Sequence, residues 1–450
     1  MKKIYEKPIL IKQTMGMINK FQSGFNDQGM TEIDGVKIKD IVEKFGSPVF
    51  VFSERELRKT IRSYVQAFKA YYPNVVFAWS YKTNYLGAIC SILHSEGCLA
   101  EVVSEFEYQK AKRLGVPGHK IIFNGPCKRS EILEVAAADG AMINIDHFDE
   151  IFRLEEIAAK RNKKIDVGLR INLDSGVYPQ WSRFGFNLEN GQALTMVKRL
   201  VKNKKLNLVG VHCHMGTFML STKAYQISAE KLLQFAATLK EEYKITLEYI
   251  NLGGGFPSRN RLKGIYLPPD FSVPPVQDFA KMIGQTLHEK TNPHYMPTVY
   301  FESGRAVVDD SGYLITSIVG SKRLVDGKKA YILDAGVNLM VTPQWYDIPV
   351  KVGVDFKGPV EDSILYGPLC MNIDVIRDFV RLPPLSAGTP LIFHPVGAYC
   401  VTFWMQFIEY RPNIILITEN NEIEVIRRKE TLDDVIGNEQ VPERLKKFKL

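Results

Sequence analysis

The sequence is poor in the features that mark membrane proteins and secreted proteins. It contains no run of about eighteen apolar residues, so no segment predicts a transmembrane helix. Its first residues, Met1 to Pro8, are charged and lack a long apolar core, so we expect no secretory signal. The six cysteines form no C-x-x-C pair, and their wide scatter predicts reduced thiols in a cytoplasmic protein.

Basic clusters and metal-ligand patterns are also scarce. Lysine and arginine number 58 against 50 acidic residues, but they are scattered without a basic stripe, which argues against a nucleic-acid partner. The net charge of +8 is typical of a soluble surface and could also favour an anionic cofactor or substrate. The triplet His212-Cys213-His214 has no second group of ligands nearby, and in a strand Cys213 would face away from both histidines. The sequence therefore predicts no metal site.

What the sequence does contain is a long alternation of apolar runs and amphipathic stretches. The 450 residues, 45% hydrophobic and 24% charged, suit one large domain and one smaller one. Alternation of strands with helices predicts a parallel sheet, and eight repeats close a barrel. The chain contains about nine apolar runs in this region, one more than a barrel needs, and the first of them is Val49 to Phe52. The eight other predicted strands are Val75 to Trp79, Ala100 to Val103, Lys120 to Phe123, Ala141 to Ile145, Asp166 to Ile171, Leu208 to His214, Tyr249 to Leu252 and Thr298 to Phe301.

After Arg305 the pattern changes to short strands between Gly, Asp and Pro turns. This texture predicts an antiparallel β-domain, whose last two runs form a hairpin. The predicted strands are Val307-Val308, Ile315 to Val319, Ala330 to Leu333, Leu391 to Phe393, Ile414 to Ile417 and Ile423 to Ile426. Residues 1 to about 30 are predicted to form an arm.

Lys82 follows the first predicted barrel strand, at the end where α/β barrels carry their catalytic groups. An amine enclosed there by apolar neighbours would have a lowered pKa, because burial disfavours its charged form. Such an amine can act as a nucleophile and form a Schiff base. The alternative is a solvated lysine at a strand end, and the other motifs of the chain favour the catalytic interpretation.

Six motifs carry residues of chemical interest. They are Trp79 to Asn84, His214 to Thr217, Asn251 to Pro257, Glu302 to Arg305, Tyr366 to Asp374 and Val396 to Tyr399. Each resembles, in the same order along the chain, a motif of the fold-type III, pyridoxal-phosphate-dependent decarboxylases, a family that includes diaminopimelate, ornithine and arginine decarboxylases. The resemblance implies an alanine-racemase-like (β/α)8 barrel over residues 48–305 and a C-terminal β-domain over 306–450. It also implies that residues 1–47 supply a segment that joins the β-domain.

The resemblance implies pyridoxal 5′-phosphate as cofactor and gives each residue an expected role. Lys82 would hold the cofactor, Glu302 would keep its pyridine nitrogen protonated, and His214 would stack on its ring. Three glycines in a row let a backbone approach an anion, although a plain tight turn is an alternative. Glu101 and Arg170 are expected near the lysine, or equally as a structural ion pair. The expected cofactor-binding residues are Lys82, Glu101, Arg170, His214, Thr217, Gly253, Gly254, Gly255, Glu302, Gly304, Arg305 and Tyr399.

Cys370 resembles the family cysteine that reaches the active site of a second subunit and returns a proton to the substrate carbon. The resemblance therefore implies a homodimer with shared active sites. Lys82, Cys370, His214 and Glu302 are the expected catalytic residues. Tentative substrate-binding residues are Asp347, Met371, Thr342 and Asp374.

Two of these positions depart from the pattern of the diaminopimelate decarboxylases. Met371 replaces an acidic residue, and Thr342 replaces an arginine that holds the distal carboxylate of the substrate. A buried ionic group without its counter-charge loses several kcal/mol. Asp347, in contrast, matches an aspartate that ornithine decarboxylases use for the substrate amine.

We therefore expect decarboxylation of a diamino acid or a modified α-amino acid in a specialised biosynthetic pathway. One alternative is the diaminopimelate decarboxylase of lysine biosynthesis. Another is an amino-acid racemase, which would lack the segment around Cys370. A third is a non-catalytic regulator, which would be expected to lack Lys82 or Cys370.

Overall fold

A computed structural model describes residues 29–265, 267–356 and 359–446. The strands within these ranges are β1 Glu32–Ile33, β2 Val36–Lys37, β3 Val49–Ser53, β4 Val75–Ser80, β5 Leu99–Val102, β6 Ile121–Phe123, β7 Met142–Ile145, β8 Ile165–Asn172, β9 Phe186–Asn187, β10 Leu206–His212, β11 Tyr249–Asn251, β12 Thr298–Ser303, β13 Gly312–Arg323, β14 Lys329–Leu333, β15 Val350–Val352, β16 Glu361–Tyr366, β17 Val375–Leu382, β18 Pro390–Phe393, β19 Asn413–Ile417 and β20 Ile423–Arg427.

The helices of the same ranges follow most of the barrel strands. They are α1 Ile38–Phe45, α2 Glu54–Lys69, α3 Gly87–Ser95, α4 Glu105–Arg113, α5 Ser130–Asp139, α6 Phe148–Arg161, α7 Gln192–Asn203, α8 Thr222–Tyr243, α9 Pro269–Ser272, α10 Val276–Lys290, α11 Arg305–Val308 and α12 Leu432–Ile436. No helix in the described part of the chain is long and apolar enough to cross a membrane.

Eight parallel strands close a barrel in the order β4-β5-β6-β7-β8-β10-β11-β12. Pairing of β12 with β4 and of β8 with β10 completes the circle. The predicted barrel is confirmed, since each of the eight predicted runs overlaps one of these strands. Their side chains are buried on both faces because helices cover the outside; α2, for example, buries residues at helical spacing, from Leu57 through Ile61 and Tyr64 to Phe68.

The ninth apolar run, Val49 to Phe52, is β3 and belongs to the second sheet. It pairs with β13 on one side and with β19 on the other. The predicted boundary at residue 47/48 is therefore wrong, and the N-terminal segment that joins the β-domain extends to Ser53. The Ser53 hydroxyl accepts a hydrogen bond from the Glu56 amide at 3.1 Å and so caps α2, the first helix of the barrel.

The second sheet runs in the order β17-β16-β14-β13-β3-β19-β20, with β18 and β15 branching from β13. The β19–β20 hairpin is confirmed. The predicted C-terminal β-domain is confirmed as a sheet domain; most of its strand pairs are antiparallel, but β3 with β19 and β14 with β16 pair in parallel. Val307-Val308, predicted as a strand, lies in α11. The predicted N-terminal arm falls almost wholly on residues 1–28, outside the described residues.

The carboxyl ends of the barrel strands face the sheet domain, and two hydrogen bonds fix this contact beside Lys82. Asn84 Nδ2 donates to the Gly397 carbonyl at 3.0 Å, and the Tyr399 amide donates to the Thr83 carbonyl at 2.9 Å. The turn that carries Lys82 is therefore clamped between the two domains.

Candidate active site

Lys82 lies in a single 3₁₀ turn, Tyr81–Thr83, immediately after β4. Its Nζ donates a hydrogen bond to Glu101 Oε2, on the neighbouring strand β5. Burial alone would lower the pKa of Lys82, but the carboxylates of Glu101 and Glu302 together raise it above its ordinary value. The expectation of a lowered pKa is therefore wrong, because two carboxylates rather than apolar groups face the amine.

Glu302, near the end of β12, is a buried carboxylate with three partners. Its Oε1 accepts hydrogen bonds from Asn124 Nδ2 at 2.6 Å and from Asn251 Nδ2 at 2.8 Å. Its Oε2 lies 3.2 Å from His212 Nε2. Although burial raises the pKa of a carboxyl, His212 and Lys82 hold the pKa of Glu302 well below its usual range. The barrel mouth thus holds an ionised carboxylate that can accept a proton-bearing group of a ligand.

His214 follows β10 and is held as a neutral ring. The Gly254 amide donates to His214 Nδ1 at 3.0 Å, so Nδ1 is the acceptor nitrogen and Nε2 carries the proton. Burial and the charge of Lys82 lower the pKa of His214 to about 3. The Trp181 ring meets the imidazole edge-on, with the ring centroids 5.5 Å apart.

The glycine turn after β11 brings backbone where no side chain fits. Gly253 and Gly255 have φ of 67° and 99°, a region that favours glycine. A Cβ on Gly254 would lie 2.1 Å from the Glu302 carbonyl oxygen, and one on Gly255 would lie 2.3 Å from the Gly216 carbonyl oxygen. This backbone conformation and packing therefore require all three glycines, and the turn packs tightly against β12 and the loop after β10.

Arg305 begins α11 and lies between two tyrosine rings. Its guanidinium carbon is 4.6 Å from the Tyr346 ring centroid and 4.9 Å from that of Tyr399. Its Nη1 donates to Asp309 Oδ2 at 3.2 Å. Within the described residues its buried Nε has no hydrogen-bond partner, and neither have the hydroxyls of Thr83 and Ser303.

These groups fit pyridoxal phosphate. A free guanidinium N–H and two hydroxyls suit an anionic phosphate, Lys82 offers the amine, and Glu302 offers an ionised carboxylate for a protonated ring nitrogen. The two domains bring together nearly all the residues expected to bind the cofactor. They are Lys82, Glu101, His214, Gly253, Gly254, Gly255, Glu302, Gly304, Arg305 and Tyr399.

The cofactor-binding roles of Arg170 and Thr217 stay predictions. Arg170 Nη1 pairs with Asp146 Oδ1 at 3.3 Å and its guanidinium lies 4.4 Å from the Phe184 ring centroid, so the alternative of an ion pair with Glu101 is wrong. The reason is that Glu101 already binds Lys82 and Asn124. Thr217 is exposed.

Of the tentative substrate residues, Asp374 is a structural clamp. It is 2% exposed, and its two oxygens accept hydrogen bonds from the amides of Val337 and Leu369, each at 2.8 Å. The prediction of a substrate contact for Asp374 is therefore wrong. Thr342 is also buried, with its hydroxyl 3.3 Å from Cys400 Sγ.

Asp347 and Met371 are more accessible. Asp347 Oδ2 accepts a hydrogen bond from Arg261 Nη2 at 3.1 Å, and the two side chains are 24% and 22% exposed. Met371 is half-buried, and the neighbouring Cys370 is exposed.

Sequence inspection missed the polar residues that surround Glu302. His212 ends β10, Asn251 ends β11 and Asn124 directly follows β6. Their common signal is position at the carboxyl end of a barrel strand, where side chains of different strands converge.

Comparisons with known proteins give one consistent answer. Residues 58–309 match the pyridoxal binding domain of pyridoxal-dependent decarboxylases, and residues 305–397 match the C-terminal sheet domain of the same enzymes. The diaminopimelate decarboxylase of Methanocaldococcus jannaschii is 31% identical, over 92% of this chain and 95% of that protein. The diaminopimelate decarboxylase of Bacillus subtilis is 27% identical, over 91% of this chain and 95% of that protein. The crystal structure of the Methanocaldococcus jannaschii enzyme in complex with L-lysine superposes with a TM-score of 0.85 at 29% identity, covering 94% of this chain and all of that one.

Proposed function

We propose that this chain, which belongs to the family of pyridoxal-dependent decarboxylases, removes the α-carboxyl group of a diamino acid, with diaminopimelate as the first candidate. Decarboxylation of an amino acid with pyridoxal phosphate as cofactor follows from membership of the family. The choice of substrate is supported by one observation. The chain spans nearly the whole length of two diaminopimelate decarboxylases, one of them at 31% identity. This favours the alternative over the specialised pathway expected from the sequence.

In the proposed site, Lys82 holds the cofactor and Glu302 holds a proton on its pyridine nitrogen. Pyridoxal phosphate supplies an electron sink for the charge left on the substrate carbon when carbon dioxide departs. The partners of Glu302 support this role, because His212 and two asparagine amides keep its carboxylate ionised although it is buried. His214, neutral and fixed by Gly254, can pack on the ring without adding a positive charge.

Arg305 is proposed to bind an anionic group of the cofactor or the substrate. The stacked tyrosines and Asp309 fix its orientation, and Nε remains free to donate. Tyr399 lies against both Arg305 and the backbone of the Lys82 turn, so it links the phosphate-binding side to the lysine side.

We further propose a homodimer in which Cys370 of the partner subunit supplies the proton that replaces the carboxylate. Cys370 is exposed, and Ile373 beside it is 61% exposed. Three more apolar side chains of the sheet domain, Phe403, Met405 and Ile408, are 39–60% exposed. Exposed apolar groups on neighbouring loops are typical of an interface between subunits.

The tail of diaminopimelate carries an ammonium and a carboxylate, and the Asp347–Arg261 pair offers one counter-charge for each. Arg261 lies close to the Arg305 site, since Asn260 Nδ2 beside it donates to Asp309 Oδ2 at 2.7 Å. Leu262, on its other side, forms a β-bridge with Tyr346, which packs on Arg305. We propose that Arg261 takes the role that an arginine at position 342 has in the diaminopimelate decarboxylases.

A second candidate is a diamino acid without a tail carboxylate, or an α-amino acid with a modified tail. It is favoured by the absence of charge at two positions: Thr342 is buried against Cys400, and Met371 presents a thioether. Under this alternative Asp347 would hold a tail ammonium alone.

The test is release of carbon dioxide from meso-diaminopimelate, L-ornithine and L-lysine, with the products identified by mass spectrometry. We expect the highest kcat/KM with diaminopimelate. Arg261→Leu should lower that value about thirtyfold, the equivalent of one charge-assisted hydrogen bond of ~2 kcal/mol, and leave the ornithine rate unchanged. Arg259→Leu is the matched control, because its side chain is 77% exposed on the same loop. A wild-type preference for ornithine or lysine would instead support the second candidate.

A further inference from the structure

A chain of buried hydrogen bonds runs through the barrel interior and ends at the two carboxylates that face Lys82. Tyr249 OH donates to Asn144 Oδ1 at 2.9 Å, and Asn144 Nδ2 donates to Asn124 Oδ1 at 2.8 Å. Asn124 Nδ2 then donates to Glu101 Oε1 at 3.0 Å and to Glu302 Oε1 at 2.6 Å. All five side chains are at most 5% exposed.

The direction of every bond in this chain is set by its two ends. Asn124 must turn its amide nitrogen toward the carboxylates, because its oxygen would be repelled by both. Its oxygen then needs a donor, which is the Asn144 nitrogen, and the Asn144 oxygen needs one in turn. A tyrosine hydroxyl can supply that last hydrogen, so Tyr249 fixes the orientation of both amides.

Two strand glycines leave the space that the chain occupies. A Cβ on Gly168 would lie 2.0 Å from Asn144 Oδ1 and 2.2 Å from Tyr249 OH. A Cβ on Gly210 would lie 2.2 Å from the Tyr249 ring. Glycine inside a strand is otherwise unfavourable and marks a close approach of another group, here the Tyr249–Asn144 contact.

We propose that Tyr249 and Asn144 are positioning residues that hold Asn124 so that one amide nitrogen serves Glu101 and Glu302 together. Two neighbouring buried carboxylates raise each other's affinity for protons when no hydrogen-bond donor lies between them. The shared amide fixes both carboxylates in place, Glu101 toward Lys82 and Glu302 toward the proposed position of the cofactor ring. This inference rests on the proposed function of Lys82 and Glu302.

The charged and titratable groups around this chain come from several elements. His212 and His214 face Glu302 from the end of β10, and Lys82 faces both carboxylates from the turn after β4. At the other end of the chain Tyr300, Glu248 and Asp166 lie around Tyr249. Apart from Tyr300, which is changed only in the control, none of these groups is altered by the variants below.

The test compares the wild-type holoenzyme with Tyr249→Phe and Asn144→Leu. The control is Tyr300→Phe, because Tyr300 lines the same cavity at the amino ends of the strands and its ring centroid lies 5.4 Å from that of Tyr249. The measurements are kcat and KM across pH and a pH titration of the visible absorbance of the bound cofactor.

We expect kcat to fall about threefold to tenfold in both variants with KM unchanged, the effect of weakening one hydrogen bond to a charged group. The acid limb of the kcat profile and the absorbance titration should move to higher pH by up to about one unit, because Glu302 then protonates more readily. Profiles of both variants that superpose on that of Tyr300→Phe would overturn the inference. A wild-type protein that binds no pyridoxal phosphate would overturn the proposed function itself.

Discussion

At the scale of single residues, the charge on Lys82 is set by groups that are distant in sequence. Glu101 is contributed by the next barrel strand and Glu302 by the last one, 220 residues along the chain from Lys82. The motif around Lys82 predicts an amine at the barrel mouth, but it contains no sign of either carboxylate. Its position could therefore be predicted from sequence, whereas the direction of its pKa shift required the folded arrangement.

The distinction between local motifs and contacts made only by folding also explains which site residues could be predicted from sequence. Glu302, His214 and Arg305 lie within local motifs that share a cofactor role, so the pattern alone points to them. Asn124 and His212 act through contacts between strands that a linear motif does not encode. Asp374 lies in a motif, but its carboxylate accepts hydrogen bonds from the backbone of two loops, a role that its sequence position does not show.

Glu302→Gln tests the proposed role of the ionised carboxylate. The amide can still accept hydrogen bonds from Asn124 and Asn251, but it cannot carry the charge that holds a proton on the ring nitrogen. We expect kcat to fall roughly a hundredfold to a thousandfold, as for loss of one electrostatic contact in an active site. Steady-state kinetics measure this, with Glu134→Gln on the exposed face of α5 as control. A loss of less than tenfold would contradict the role given to Glu302.

At the scale of elements, the barrel is the part that sequence predicts best. Each strand is a short apolar run buried on both faces, so a continuous hydrophobic run identifies it without knowledge of its neighbours. The sheet domain is harder, because β16 and β17 combine charged and apolar residues and are half exposed. The apolar run at β3 falls within the residues predicted for the barrel, because a buried strand has the same continuous apolar pattern in either sheet.

Gly254→Ala tests the packing of the glycine turn against β12. Its Cβ would approach the Glu302 carbonyl oxygen to 2.1 Å, and backbone at that position can yield only by moving the strand that carries Glu302. We expect a loss of about 1–3 kcal/mol in the free energy of unfolding and weaker binding of pyridoxal phosphate. Denaturant unfolding and cofactor titration measure the two effects.

The matched control is Gly320→Ala in β13, where a Cβ would have no atom within 4 Å. Equal stability and equal cofactor affinity for the two variants would mean that the turn accommodates a side chain, contrary to the packing described above.

At the scale of the whole molecule, the site lies where the barrel meets the sheet domain. Hydrogen bonds of Asn84 and Tyr399 join the Lys82 turn to the sheet domain. On the loop that follows the glycine turn, Asn260 donates to Asp309 and to the Pro395 carbonyl of the sheet domain. Neither domain alone contains all the residues proposed to bind the cofactor. In the proposed homodimer, Cys370 extends this division to a second subunit.

Mixing of two inactive variants tests the shared site. Lys82→Ala and Cys370→Ala should each be nearly inactive, but a mixed dimer holds one site with both native residues. With half of the dimers mixed, we expect roughly a quarter of the wild-type activity to return. Size-exclusion chromatography with differently tagged chains establishes subunit exchange. Exchange without recovery would place the action of Cys370 within its own chain.

The most direct test of the central claim, that the cluster around Lys82 and Glu302 is the cofactor site, is chemical trapping. Borohydride reduction of the holoenzyme fixes a lysine-bound cofactor in place, and mass spectrometry of the digested protein locates the added mass. We expect the modification on the peptide that contains Lys82 and its absence from Lys82→Ala. Modification of another lysine, or covalent trapping of the cofactor by Lys82→Ala, would contradict the claim.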